Sequence, residues 1–233
     1  MEFDLSSAAF WIAVGQIILI DIVLSGDNAV VIALACRSLA PEQRKKGIFW
    51  GVAGAVILRV ILTVFAALVM NLAWLKFVGA LLLTWIAIKL ILPEEDDGPD
   101  IKPSSHLLGA VKTIIVADFV MSLDNVIAVA GAAHGSLALL LFGLAVSIPL
   151  IVWSSQLILH WMERWPSIVM LGAGLLGYVA GQMLLTDPGL LALLPPLPAW
   201  APKAAGAVGA LVVVGGGRWL ERRILARQDL TIV

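Results

Sequence analysis

The stretch DIVLSGDNAV, residues 21–30, sets Asp21 and Asp27 inside a run that is otherwise apolar except for Ser25, Gly26 and Asn28. Almost a hundred residues later DFVMSLDNVI, residues 118–127, repeats the pattern, with Asp118, Ser122, Asp124 and Asn125 in the same relative places. An aspartate at the centre of a membrane helix costs about 2.5–3.5 kcal/mol on the insertion scale, so four of them would cost on the order of 10 kcal/mol if simply added. A chain that writes this pattern twice in apolar surroundings needs something to offset it: water, protons, an arginine or a metal ion.

The surroundings are those of a membrane protein. Of 233 residues, 61% are hydrophobic and 13% charged, where a soluble domain is nearer a quarter charged. Apolar runs of about 20 residues recur from end to end, each long enough to cross a hydrocarbon core of roughly 30 Å. The short alternating segments of a β-barrel are absent. The opening MEFDLSS is acidic and lacks the basic n-region of a signal peptide, so the first apolar run is expected to be retained as a membrane helix. The net charge of −1 argues against a nucleic-acid partner. Cys36, the single cysteine, excludes an internal disulfide and a cysteine metal cluster.

Seven spans are predicted: Ala8–Cys36, Gly47–Met70, Leu72–Leu92, Leu107–Ala133, Ser136–His160, Pro166–Leu185 and Ala201–Leu220. The first and fourth are too long for a straight crossing at about 1.5 Å per residue, and they are the two that carry the repeated pattern. Arg37, Arg44, Lys45 and Lys46 follow span one, Arg164 follows span five, and Arg218, Arg222, Arg223 and Arg227 follow span seven. The positive-inside rule then puts the N-terminus outside and the C-terminus in the cytoplasm, across the bacterial cytoplasmic (inner) membrane.

The likeness of the two halves extends beyond the motif. Gly51 aligns with Gly143, Met70 with Met162, Trp85 with Tyr178 and Lys89 with Gln182, once five residues of the basic loop are set aside. Each unit holds three spans, and three is odd, so the second unit enters the membrane from the opposite side. The expected fold is an all-α polytopic membrane protein, two inverted three-helix repeats plus one additional helix, a plan of secondary transporters. The expected segments are 1–92 for the first repeat, 93–106 for an acidic cytoplasmic linker, 107–186 for the inverted repeat, and 187–233 for an outer loop, the seventh helix and a basic tail.

At about 100° per residue, Asp21, Ser25 and Asn28 share one helix face. Asp27 points elsewhere unless the helix unwinds near Ser25 and Gly26, and glycine suits such a break. Leu123 stands in the corresponding place of the second half, where a break is less well supported. The donors Asp21, Asp27, Asn28, Asp118, Asp124 and Asn125, with Ser25 and Ser122 in support, are carboxylate, amide and hydroxyl oxygens. Such donors suit Mg²⁺, Ca²⁺ or Mn²⁺. No histidine or cysteine joins them, as Zn²⁺ or Cu⁺ would want. The chemistry reaches a hard divalent cation and does not choose among the three. Carboxylates also bind protons, which makes proton exchange a natural coupling mode. The plainer reading of the serines and asparagines is helix capping or bonding between helices. Arg59, near the middle of span two, reads either as a fixed charge that pairs with one aspartate and tunes its occupancy or as simple neutralisation. Ile151 holds its place in the second half, so the halves are not chemically equal. GVAG at 51–54 and the glycines of 172–177 read as close helix packing.

Three stretches, DIVLSGDNAVVIALACRSL, PEQRKKGIFWG and TIIVADFVMSLDNVIAVAGAAHGS, resemble the TerC-like integral membrane family, most closely its YjbE branch. The resemblance covers nearly the whole chain. It implies kinship with the LysE-type exporters, a link to manganese export and an older association with tellurite resistance. By resemblance the task is Mn²⁺ efflux from the bacterial cytoplasm, with Asp21, Asp27, Asp118 and Asp124 as the membrane aspartates and Asn28 and Asn125 beside them. Mn²⁺ is then a transported substrate and no prosthetic group is implied. The expected partners are the divalent ion and the lipid bilayer. Two other readings compete. One is a non-transporting membrane partner that aids metallation of other proteins. The other is an intramembrane aspartyl protease, to one of whose motifs SGD is superficially similar. A protease dyad needs one Asp from each side, not two Asp and two Asn in mirrored places, so an enzyme is not the expectation.

Overall fold

The computed structural model describes residues 11–12, 14–15, 27–65, 72–92, 103–132 and 137–231, with the main chain alone at 103–105, 124–132, 137–140, 225 and 227–231. Among the described residues there are eight helices and no strands. They are α1 (Asp27–Cys36), α2 (Pro41–Val64), α3 (Leu75–Ile91), α4 (Pro103–Ala132), α5 (Leu137–Arg164), α6 (Ser167–Leu184), α7 (Pro188–Leu191) and α8 (Ala201–Thr231). Four stretches are long and apolar enough to cross a membrane: Pro41–Val64, His106–Leu123, Leu141–Arg164 and Ser167–Leu184.

The predicted boundaries shift at several ends: the second helix begins at Pro41 where Gly47 was expected, and the fifth runs on from His160 to Arg164. The fourth is already helical at Pro103, the first residue described there, inside the segment expected to be linker. The seventh runs on past Leu220 to Thr231. Hydropathy ends that span, whereas Glu221, Arg222, Arg223, Leu225, Ala226, Arg227 and Gln228 are mostly good helix formers that carry it onward.

The chain divides into two compact units, Met1–Asn71 with Pro103–His160, and Leu72–Lys102 with Trp161–Val233. The first gathers the first two predicted spans of each triplet. The second gathers the third span of each and the seventh.

In the first unit α1 ends at Cys36 and a tight turn leads to Pro41, which opens α2. Arg44 holds that turn: its Nε donates to the Leu39 carbonyl at 2.9 Å and its Nη2 to the Arg37 carbonyl at 3.2 Å. Both carbonyls belong to the turn itself, so the guanidinium ties the turn to the first residues of α2. Gly47, Gly51 and Gly54 then line one face of α2. A Cβ at Gly51 would lie 2.5 Å from Ile114 Cδ1, and one at Gly47 would lie 3.1 Å from Cys36 Sγ. The missing side chains let α2 and α4 approach closely.

The order of contacts gives the helix directions. Gly47 meets Leu107, Gly51 meets Ile114, and Arg59 meets Asp118 and Ser122, so α2 and α4 run parallel. Cys36 lies beside Gly47, while Asn28, Val31 and Ile32 share a cavity wall with Ala55, so α1 runs antiparallel to α2. The helices that carry the two motif copies, α1 and α4, therefore point in opposite directions.

In the second unit α6 and α8 pack through backbone. A Cβ at Gly177 would lie 2.6 Å from the Gly209 carbonyl oxygen, and one at Gly181 would strike the Ala205 carbonyl. Asp187 ties down the start of α3. Its carboxylate accepts from Trp74 N–H at 3.1 Å, Phe77 N–H at 3.2 Å and Leu190 N–H at 3.0 Å, and Gly189 N–H also bonds to it. Trp74 sits at φ 69°, a left-handed conformation that a tryptophan rarely adopts. The bonds from Trp74 and Phe77 hold it there.

Candidate functional site

The site lies in the first unit, where α1, α2 and α4 meet. Asp118 is on the face of α4 that follows Ile114 by one turn, and Arg59 is on the face of α2 that follows Gly51 by two. The glycine contact that brings the two helices together at Gly51 thus delivers both side chains to the same place. Arg59 Nη2 donates to Asp118 Oδ1 at 2.7 Å, an ion pair whose side chains are 5% and 7% exposed. Ser122, one turn beyond Asp118, is fully buried. Its hydroxyl donates to Asp118 Oδ2 at 3.2 Å and accepts from Arg59 Nε at 3.3 Å. The three side chains close a ring in which each carboxylate oxygen has a donor.

Next to this ring is a cavity of about 10 Å³ lined by Asn28, Val31, Ile32, Ala55, Ile114 and Asp118, room for about one water. Its polar walls are Asn28 from one copy of the repeated motif and Asp118 from the other. Asp27, the first described residue of α1, is half-buried and near enough to feel the charges of both Arg59 and Asp118. Its carboxylate accepts from the Asn28 backbone N–H at 2.9 Å. The described part of the site therefore sets the Asp118 carboxylate and the Ser122 hydroxyl against one guanidinium, with the Asn28 amide across the cavity from Asp118 and the Asp27 carboxylate beside Asn28.

Of the residues singled out in the sequence, Asp27, Asn28, Arg59, Asp118 and Ser122 come together. Asp124 and Asn125 lie on α4, with the main chain alone described. Asp21, Ser25 and Gly26 lie outside the described residues, as does most of the acidic linker. Among the described residues no three His, Cys, Asp or Glu side chains converge.

Asp187 was not singled out in the sequence, where it reads as part of a proline-rich loop. The local signal was present, since Asp-Pro-Gly is a strong turn and N-cap signature. Its reach to α3, 113 residues away, has no local signature. Burial raises the Asp187 carboxyl, but the four backbone N–H groups outweigh it and hold the group below its usual value of 3.8.

The sequence pattern of the "Integral membrane protein TerC family" matches residues 6–223, nearly the whole chain. The chain belongs to that family. Relatives of this TerC-family chain are membrane proteins by name. It is 43% identical over 187 residues to the "Uncharacterized membrane protein YjbE" of Bacillus subtilis, covering 80% of this chain and 83% of that one. It is 28% identical to the "Uncharacterized membrane protein YceF" of the same organism, over 77% of this chain and 73% of that one. It is also 28% identical to the "UPF0053 inner membrane protein YgdQ" of Escherichia coli K12, over 75% of this chain and 81% of that one. No solved structure matches. The chain is an integral membrane protein of the TerC family, and that membership points to a membrane transport or metal-related role.

Proposed function

We propose that this protein exports a hard divalent cation, Mn²⁺ in the first place, from the bacterial cytoplasm by alternating access at a central aspartate site. The observation that carries the reading is the cavity whose polar walls come one from each motif copy. Asn28 and Asp118 reach it on oppositely directed helices, α1 and α4. Antiparallel copies of one polar motif that meet are the arrangement expected of an inverted-repeat transporter. The grouping of corresponding spans in each compact unit is in keeping with it.

The donors suit the cargo. Carboxylate and amide oxygens without histidine or cysteine favour Mn²⁺, Mg²⁺ or Ca²⁺ over Zn²⁺ or Cu⁺, and the family resemblance selects manganese among them. Asp21, Asp27, Asn28, Asp118, Asp124 and Asn125 are the proposed ligands, with Ser25, Ser122 and Arg59 in support. A helix break at Gly26 is part of the proposal, since glycine suits such a break. Proton exchange on the carboxylates is the proposed coupling. The proposed orientation has the N-terminus outside and the basic C-terminus in the cytoplasm. An aspartyl-protease reading is disfavoured, because such a dyad shares a proton between two carboxylates, whereas Asp118 faces a guanidinium.

The test is cellular manganese. A bacterial strain without the protein accumulates Mn²⁺ under manganese load, and the intact chain restores efflux. Chains with Asp21→Asn, Asp27→Asn, Asp118→Asn or Asp124→Asn do not. Unchanged cellular Mn²⁺ in the deleted strain overturns the proposal.

A further inference from the structure

We propose that Arg59 is a tethered counter-cation: its guanidinium occupies Asp118 while no metal is bound there, and a divalent ion takes Asp118 only as the guanidinium withdraws. This rests on the reading of Asp118 as a metal ligand and adds how that half of the site is vacated and refilled. Both Asp118 oxygens are engaged, Oδ1 by Arg59 Nη2 at 2.7 Å and Oδ2 by the Ser122 hydroxyl at 3.2 Å. A divalent ion bound to Oδ1 needs the position that Nη2 holds, and two cations on one carboxylate oxygen repel strongly in a site this buried.

The surroundings suit an exchange. Asp118 also lines the water-sized cavity beside Asn28, so room for about one water adjoins the ion pair. Arg59 hangs on a long, flexible stem. Ser122 is a two-way partner: its hydroxyl donates to Asp118 and accepts from Arg59 Nε, and it can serve either ion when the other leaves. A guanidinium stays charged at any physiological pH, so this is the movement of a fixed charge and not a titration. The corresponding position of the other half is Ile151, which carries no charge. The device acts on one half only.

The probe is Mn²⁺ alone, titrated into purified full-length protein in detergent, with free Mn²⁺ read by electron paramagnetic resonance. Arg59→Gln is expected to tighten Mn²⁺ binding tenfold or more, because the competitor is gone. Arg59→Lys, which keeps a charge but offers a single point contact where arginine has a fork, is expected to fall between Gln and the native chain. In an Asp118→Asn background the Arg59→Gln change is expected to have no further effect. If Asp118→Asn weakens binding while Arg59→Gln leaves it unchanged or weaker, the counter-cation is overturned and the metal site stands. If Asp118→Asn leaves the affinity unaltered, the metal-ligand reading of Asp118 falls, and the inference with it. Should Arg59→Gln fail to fold, Arg59→Lys decides: affinity equal to or weaker than native overturns the proposal.

Discussion

The Arg59–Asp118 pair can be taken away by halves or whole, and the two operations have opposite consequences for stability. At 2.7 Å the attraction is about 6 kcal/mol for an effective dielectric of about 20. Each ion loses several kcal/mol of hydration when buried, so the pair as a unit stands near break-even against apolar groups of the same size. Asp118→Asn is different. It leaves the guanidinium in place and removes the charge in contact with it, a change that destabilises by about 3–5 kcal/mol in buried pairs. Asp27 lies within reach of Arg59 and offsets part of the loss, so about 3 kcal/mol is expected. For a chain of this length that is roughly 6–12 °C in Tm. Arg59→Met together with Asp118→Leu removes both charges, and Ser122 can then turn its hydroxyl to a carbonyl of its own helix. The double variant is expected within about 1–2 kcal/mol of native stability, yet inactive in Mn²⁺ efflux. Thermal unfolding in detergent and efflux from cells measure the two quantities separately. A double variant destabilised by the sum of the single changes would refute the charge argument, and one that still exports would refute the role of Asp118.

Two further substitutions probe the second unit. Gly181→Ala should destabilise it by more than the roughly 1 kcal/mol that alanine normally gains in a helix, because the obstacle is the Ala205 main chain; Gly215→Ala, with nothing within 4 Å of the added carbon, should not, and equal Tm shifts for the two would contradict the packing argument. Asp187→Ala should loosen the start of α3, leaving Trp74 in a left-handed conformation without its anchor, and raise amide exchange at Trp74 and Phe77. Since the folded-state value of Asp187 is lowered, its carboxylate contributes stability that is complete above the ordinary value of 3.8 and lost as pH falls below it. Native protein should therefore lose stability on acidification through this range more steeply than the Asp187→Ala chain, and parallel acid profiles would exclude the effect.

What could be read from the sequence divides along the range of the forces involved. Helical class and membrane character follow from composition and run length. The close packing at Gly51 and Gly177 follows from small residues on helix faces, and the glycines meet Ile114 and the Gly209 backbone. That Arg59 pairs with an aspartate is forced by the penalty for burying either alone, but four aspartates were available. The choice of Asp118 depends on the register in which α2 lies along α4, which no local pattern encodes. The same limit hid Asp187, since its own turn is legible while its partners at Trp74 and Phe77 come from a helix more than a hundred residues away. The extension of α8 to Thr231 was missed for another reason. Hydropathy marks where lipid contact ends, and a helix of charged residues can continue into water.

The pairing of Arg59 with Asp118 bears on how a repeated motif can work without being symmetrical. If the two halves were chemically alike, an ion would meet the same ligands from either side and nothing in the site itself would favour one direction. Here one half places a guanidinium against the Asp118 carboxylate, and the matching position of the other half is the apolar Ile151, 8% exposed. The fold can thus keep corresponding backbone positions while the charge balance differs between the halves. In the proposed transport cycle such a site would hold an internal cation in place of the transported one when empty, which would lower the charge left in lipid during the return step. If the protein is the transporter proposed above, the asymmetry at 59 and 151, more than the number of aspartates, is what its mechanism would use. Ile151→Arg tests it directly: a second fixed cation should cut Mn²⁺ affinity at least as far as Arg59→Gln raises it. An Ile151→Arg protein that folds and binds Mn²⁺ as the native chain does would show that charge at this pair of positions does not govern the site.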